Sequence, residues 1–272
     1  MTAEATIRPP RAVGELRMSA KPLGARTVLG DLRQAGSLRM LFPRPAGDGL
    51  QGISINTAGG VTGGDRFRFE ARADAGTTLT LSTQAAERAY RAQPGEVAMV
   101  QTHLEVCEGG RLNWLPQETI LFQGCALRRS ITVNLAPNAS LLLCEPLVFG
   151  RAAMGETLTS GQFEDRIEIT RDGAPLFLDA MHLSGDIAAH LARPTIAGGA
   201  GALATLVYIK ADAEAHLTPL REAVGSSGGV SLIQQDLLFA RLLAPDSFEL
   251  RRTLMPVLTR LARGPLPRPW MI

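Results

Sequence analysis

The sequence predicts a mainly β protein whose strands stack in successive units, with a few helices gathered towards the C-terminus. Three observations carry this. Over the first two-thirds of the 272 residues, apolar side chains alternate with polar ones in short runs. Strand–turn–strand patterns recur around Gly76, Gly110, Asn138 and Gly173, at separations of 34, 28 and 35 residues. Helical spacing of apolar residues appears only after Asp212.

The elements follow in order. No apolar run occupies Met1 to Pro10, which speaks against a secretory signal. Phe67, Phe69 and Ala71 share one strand face, and Leu79 and Leu81 share the next after the Ala75-Gly76 turn. Return strands at 77–82, 111–115, 140–143 and 174–178 follow the four turns. They are expected to form stacked hairpin-like units, each covering its neighbour's apolar face, with spacing too uneven for a strict solenoid. Ala213, Leu217, Leu220 and Val224 predict a helix from Asp212 that stops at Gly225. Val230–Gln235 and Leu237–Leu243 read as a strand pair. Asp246, three residues before Glu249, starts a second helix in capping-box fashion. Phe248, Leu250, Leu254, Val257, Leu258 and Leu261 give it an apolar stripe; Pro256 falls inside and Gly264-Pro265 ends it. One domain over 1–272 is expected, with 1–15 and 265–272 as extended or mobile tails.

Composition narrows the function. Hydrophobic residues at 45% and charged residues at 20% suit an ordinary globular core. A net charge of +2 argues against nucleic acid or an anionic membrane as partner. The pairs Arg128-Arg129 and Arg251-Arg252 read as solvated surface. Apolar runs such as Leu141–Cys144 reach only four residues and are too short to span a bilayer. Three cysteines without C-x-x-C spacing suit a reducing cytoplasm. Aromatics at 5% are scarce for a sugar cleft, and neither G-x-S-x-G nor H-E-x-x-H occurs.

Four glycines, Gly59, Gly60, Gly63 and Gly64, sit in six positions before Asp65. The spacing touches the phosphate-loop pattern, but Asp65 and Arg66 replace its lysine and hydroxyl. A shaped turn is the better reading, with Asp65 holding it through backbone hydrogen bonds. Glu118, Glu145 and Asp179 each lie just past a return strand, and Gln84 takes that place in the first unit. In a stack they would form a file of oxygen ligands suited to passing a hydrated divalent cation; the competing reading is that each closes a turn. Glu118 and Glu145 are also the only evident acid–base pair for a hydrolase. His103, Glu105 and Cys107 share a strand face, at a spacing of about 7 Å that rarely converges on one ion. Arg151 and Glu156 flank a small-residue turn and would either pair with each other or face a partner.

Three blocks carry a resemblance. Gly59–Asp65 fits G-G-x-x-G-G-D, Trp114–Ile120 fits W-L-P-Q-E-T-I, and Gly150–Glu156 fits G-R-x-A-x-G-E. With Thr83–Arg91 as T-x-x-A-x-x-x-Y-R, the chain from Arg17 to Gly264 resembles the urease accessory protein UreD (UreH) family. The resemblance implies a helix-like winding of strands and a cytoplasmic, non-enzymatic scaffold or metallochaperone. It implies apo-urease and UreF-like and UreG-like accessory proteins as partners, with neither nucleic acid nor membrane. It also implies nickel passing through an interior route to the urease active site, transiently and with no tightly bound cofactor. Glu118 and Glu145, with Thr83 nearby, are the positions it marks.

Overall fold

The alternation that begins at Phe67 winds the chain between two sheets. The computed structural model describes residues 10–44 and 47–271. Four strands come first: β1 (Val13–Leu23), β2 (Arg26–Gly36), β3 (Leu38–Leu41) and β4 (Leu50–Asn56). Then β5 (Arg66–Ala73) turns into β6 (Thr78–Thr83). After the short β7 (Glu87–Ala89), β8 (Ala98–Val106) turns into β9 (Arg111–Trp114). After β10 (Thr119–Leu121), β11 (Ala126–Leu135) turns into β12 (Ser140–Phe149). A hairpin of β13 (Gly161–Arg171) and β14 (Ala174–Gly185) leads through α1 (Ile187–Leu191) to β15 (Ala202–Ile209). The chain closes with α2 (Ala213–Val224), β16 (Gly228–Gln234), β17 (Leu237–Ala244) and α3 (Ser247–Ala262).

The first sheet has the order β14-β13-β11-β8-β5-β1-β2, and the second β16-β17-β15-β12-β9-β6-β4-β3, with β10 beside β12 and β7 beside β10. β5, β8 and β11 lie parallel in the first sheet, and β6, β9 and β12 lie parallel in the second. The turns at Gly76, Gly110 and Asn138 are therefore corners between sheets, not hairpins; only the Gly173 turn is a hairpin. The physical reason is the position of the apolar faces. Phe67, Phe69 and Ala71 face Leu79 and Leu81 across one interior, so each return strand pairs with the next coil. The corners also bond along the stack, Gly76 N to Glu108 O at 2.9 Å and Ser140 N to Gly110 O at 2.9 Å.

Mainly parallel coils result, in agreement with the expected stacked β architecture and its late helices. Inward rows run across the coils: Leu79, Leu112 and Leu141 in one sheet, Ala71, Leu104, Val133 and Ile169 in the other. A second core lies on the outer face of the second sheet, under α2 and α3. Leu250, Leu254, Val257, Leu258 and Leu261 are the buried stripe of α3, and Asp246 caps it by accepting from Glu249 N at 2.9 Å. Pro256 lies within that helix.

Two tail expectations change. Residues 1–9 lie outside the described residues, but β1 already begins at Val13. At the other end Leu266 and Trp270 are buried, and Trp270 Nε1 donates to Leu115 O at 2.8 Å. An apolar indole against the second core outweighs the extended character of the prolines around it.

Candidate functional site

The break between β9 and β10 makes the site. Trp114 ends one strand and Thr119 starts the next, so the four residues between them leave the ladder beside Thr83 and Glu145. A cavity of about 100 Å³ opens there between the two sheets. Thr83, Glu87, Trp114, Thr119, Arg129 and Glu145 supply its polar wall, and Phe67, Phe69, Val100 and Ile131 much of its apolar wall. Thr83 Oγ1 accepts from Gln117 N at 2.8 Å and donates to Ala85 O at 3.1 Å, so the loop and β6 are tied together.

Leu141, Leu143 and Leu147 of β12 face the interior, and Glu145 shares their face. The carboxylate is only 3% exposed. Oε1 accepts from Trp114 Nε1 at 2.5 Å, and Oε2 accepts from Arg129 Nη1 at 2.5 Å. Arg129 in turn forks onto Asp165, with Nε to Oδ1 at 2.9 Å and Nη2 to Oδ2 at 2.6 Å. Burial pushes the Glu145 carboxyl above the ordinary glutamate range, opposed by Arg129 and the indole N–H. Burial alone would lower Arg129, but Asp165 and Glu145 reverse the sign and hold it protonated. Glu87 is likewise raised, chiefly by burial, while Asn56 Nδ2 donates to it at 3.0 Å and opposes the shift.

The marked positions divide. Thr83 and Glu145 line one cavity. Glu118 does not join them: Thr119 and Leu121 point inward, so Glu118 faces the helix layer, where Oε1 accepts from Arg251 Nη1 at 3.2 Å. The corridor expected between Glu118 and Glu145 is thus interrupted by the sheet itself, and the two cannot act as one acid–base pair. Asp179 faces the interior from β14 but does not line the cavity; Arg241 of β17, in the second sheet, takes it up. Arg129 and Arg251, read as solvated, are both engaged, Arg129 between the sheets and Arg251 against the outer face of the second.

The remaining candidates are engaged locally. Asp65 accepts from Ala12 N at 2.7 Å and from Thr62 N at 2.8 Å, binding the glycine turn to the start of β1. Gly60 has φ +154°, and a Cβ there would come within 2.2 Å of the Tyr90 ring. Gly63 has no room either, with Ala92 Cβ at 2.7 Å from a built Cβ; Gly59 and Gly64 also take positive φ. Arg151 and Glu156 pair at 2.5 Å, and Glu156 also accepts from Gln123 N at 3.1 Å. His103 bonds Thr132 and Glu105 pairs with Arg72 on an outer face. Among the described residues, no group of three or more His, Cys, Asp or Glu is arranged to hold a metal, and no helix is long and apolar enough to cross a membrane.

Arg129, Asp165 and Glu87 escaped the sequence reading. A signal existed for two of them. Arg129 sits between Leu127 and Ile131, and Asp165 between Phe163 and Ile167, each a charge at an inward position of an alternating strand.

Comparison with known proteins agrees in extent. The family model described as UreD urease accessory protein matches residues 12–271. A urease accessory protein UreD of Ruegeria pomeroyi is 54% identical over 257 residues, covering 94% of this chain and 100% of that protein. Another, of Roseobacter denitrificans, is 50% identical over 97% of this chain and 96% of its own length. The UreD of Sinorhizobium medicae is 44% identical across the whole of both chains. A sheet-wound chain built around the three sequence blocks, matched from residue 12 to residue 271, belongs to the UreD family of urease accessory proteins.

Proposed function

We propose that this chain acts in urease maturation as a non-enzymatic scaffold that passes nickel to apo-urease through the space between its two sheets. The observation that carries the reading is the cavity at Glu145 and its neighbours. An open groove of about 520 Å³ on the outer face of the first sheet, over the starts of β1, β5 and β8, shares Phe67 and Gln101 with it. A third, of about 280 Å³, shares Leu38, Ser54, Thr83 and Glu87. Two adjoining spaces that share four lining residues, with a groove outside the first sheet at Phe67 and Gln101, suit a passage through the coil.

The chemistry suits transit. Carboxylate and hydroxyl oxygens attract a divalent cation, and the central space has room for several waters, so the ion keeps much of its hydration. A few oxygen ligands without thiolate or imidazole bind nickel weakly, and weak binding permits release. Glu87, shared by the central and the third cavity, would stand at one mouth, and Glu145 at the middle. Glu118 then serves structure, anchoring Arg251 and α3. In the cytoplasm the chain would hold apo-urease together with the UreF-like and UreG-like accessory proteins, and the latter would supply nucleotide chemistry for which this chain has no motif. Arg151 and Glu156, already paired, would meet a partner only as a preformed turn.

Co-expression with urease, the other accessory proteins and nickel tests the reading. Glu145→Gln is expected to lower nickel per urease active site while leaving the complex assembled. Full metallation by that variant would reduce the chain to an adaptor without a metal role.

A further inference from the structure

The buried charges at the centre of the cavity are not arranged as a plain ion site. Two carboxylates, Glu145 from the second sheet and Asp165 from the first, face each other across one guanidinium, and all three side chains are less than a tenth exposed. Arg129 is held unequally by the two. Asp165 is its register partner on the neighbouring strand and takes it in a two-point fork. Glu145 takes a single contact from Nη1, which also reaches Thr119 Oγ1 at 3.3 Å. The fork is the stronger and more directional interaction, and of Arg129's two carboxylate partners Glu145 is the one on the opposite sheet. Arg129 also lies against the Phe163 ring at 5.7 Å, which steadies the guanidinium on the first sheet.

From this asymmetry we infer that Arg129 is a tethered cation that occupies the ion's place at Glu145 whenever the passage is empty. The inference rests on the transit reading above and adds to it the means of release. A buried carboxylate without a counter-charge is strongly unfavourable, so an empty passage lined by Glu145 needs a cation of its own. When a divalent cation arrives, Nη1 gives up Glu145 and the guanidinium stays forked on Asp165 as a neutral pair. Glu145 then offers one oxygen to the ion while Trp114 Nε1–H keeps the other. Return of Nη1 expels the ion. The passage alternates between two occupants of one carboxylate, and nickel never meets a site free of competition. Arg129 is a positioning residue in this scheme, since it touches Glu145 and not the ion.

The test uses the full chain with nickel sulfate as probe, comparing wild type, Arg129→Met and Arg129→Met/Glu145→Gln by equilibrium nickel binding and thermal melting. Arg129→Met is expected to lower the nickel Kd at least about tenfold. Its melting temperature should rise by about 5 °C at roughly a hundredfold excess of nickel over its Kd, and wild type at the same nickel concentration by no more than about half as much. The double variant should lose both effects. Absence of a nickel-dependent gain in Arg129→Met, or a gain that survives in the double variant, overturns the proposal. If Arg129→Met does not fold, Arg129→Lys keeps a charge but loses the fork, and its nickel affinity should still exceed wild type; equality overturns the proposal. Nickel content of urease matured with Glu145→Gln separates the two failures. A loss there with no gain in Arg129→Met removes the tethered cation alone, whereas no loss removes the transit reading itself.

Discussion

Replacing Trp270 by alanine should show that the C-terminal segment is a structural part of the second core. The indole is 1% exposed in the core beneath α3, and its N–H donates to Leu115 O at 2.8 Å. Arg251 lies 5.1 Å from the ring and joins the segment to the loop, with Nη2 donating to Pro269 O at 2.7 Å and Nη1 to Gln117 Oε1 at 3.0 Å. Deleting a buried tryptophan side chain costs about 3–5 kcal/mol, and leaving the Leu115 carbonyl unpaired adds about 1 kcal/mol. An unfolding entropy of about 2.1 cal/mol/K per residue, over 272 residues, converts that to a melting temperature lower by about 7–10 °C. Trp270→Phe keeps most of the packing and loses the N–H, so its drop should be about 3 °C. Scanning calorimetry of the three proteins decides. A Trp270→Ala variant melting within a degree or two of wild type would refute the claim that this segment is packed.

Asp65→Ala leaves Ala12 N and Thr62 N without their acceptor and should destabilise the chain by about 2–4 kcal/mol, read by denaturant titration. An unchanged midpoint would remove Asp65 from its role at the glycine turn. Burial pushes the Cys125 thiol up to about 11 and raises Cys144 well above its ordinary value, so both stay protonated and shielded at pH 8. Burial raises the Cys107 thiol too, but it is only half-buried, so Ellman's reagent should titrate about one thiol, Cys107, in the native chain and all three after denaturation. Tyr208 is raised from 10 to about 12, first by burial and then by its bond to Asp212. Its contribution to stability is complete below pH 10 and is lost as pH rises through 12, because the folded state binds the proton more tightly. Tyr208→Phe should flatten that alkaline decline in melting temperature; identical slopes would argue against the shift.

Local rules were enough for much of the fold. Alternation placed Phe67, Phe69, Leu79 and Leu81 on inward faces, and Asp246 with Glu249 marked the start of α3. Pairing was not local. Whether a turn such as Ala75-Gly76 folds the strand back or carries it to a second sheet depends on which apolar faces meet, and those lie one coil away. That single ambiguity decided the site. With hairpins, Glu118, Glu145 and Asp179 fall into one file; with corners, Glu118 faces the helix layer, Asp179 is taken up by Arg241, and of the three only Glu145 lines the cavity. The two-residue period made the division readable in principle, since Glu118 is out of phase with Thr119 and Leu121. Arg129 and Asp165 were missed because charged residues were read as surface, although each interrupts an inward apolar row. β15 was missed for a different reason. Its residues are buried on both faces and carry no alternation to detect.

The most direct test of nickel passage between the sheets is to fill the cavity without touching a polar group. Val100 lines it from β8 beside Phe67, so Val100→Trp obstructs the space while Glu145, Arg129 and Thr83 remain. Leu178→Trp on the exposed face of β14 controls for the added indole. Measured as nickel per active site of co-expressed urease, with assembly of the complex verified, Val100→Trp should lower the content several-fold and Leu178→Trp should leave it unchanged. Full loading by an assembled Val100→Trp complex would mean that nickel reaches urease by another way.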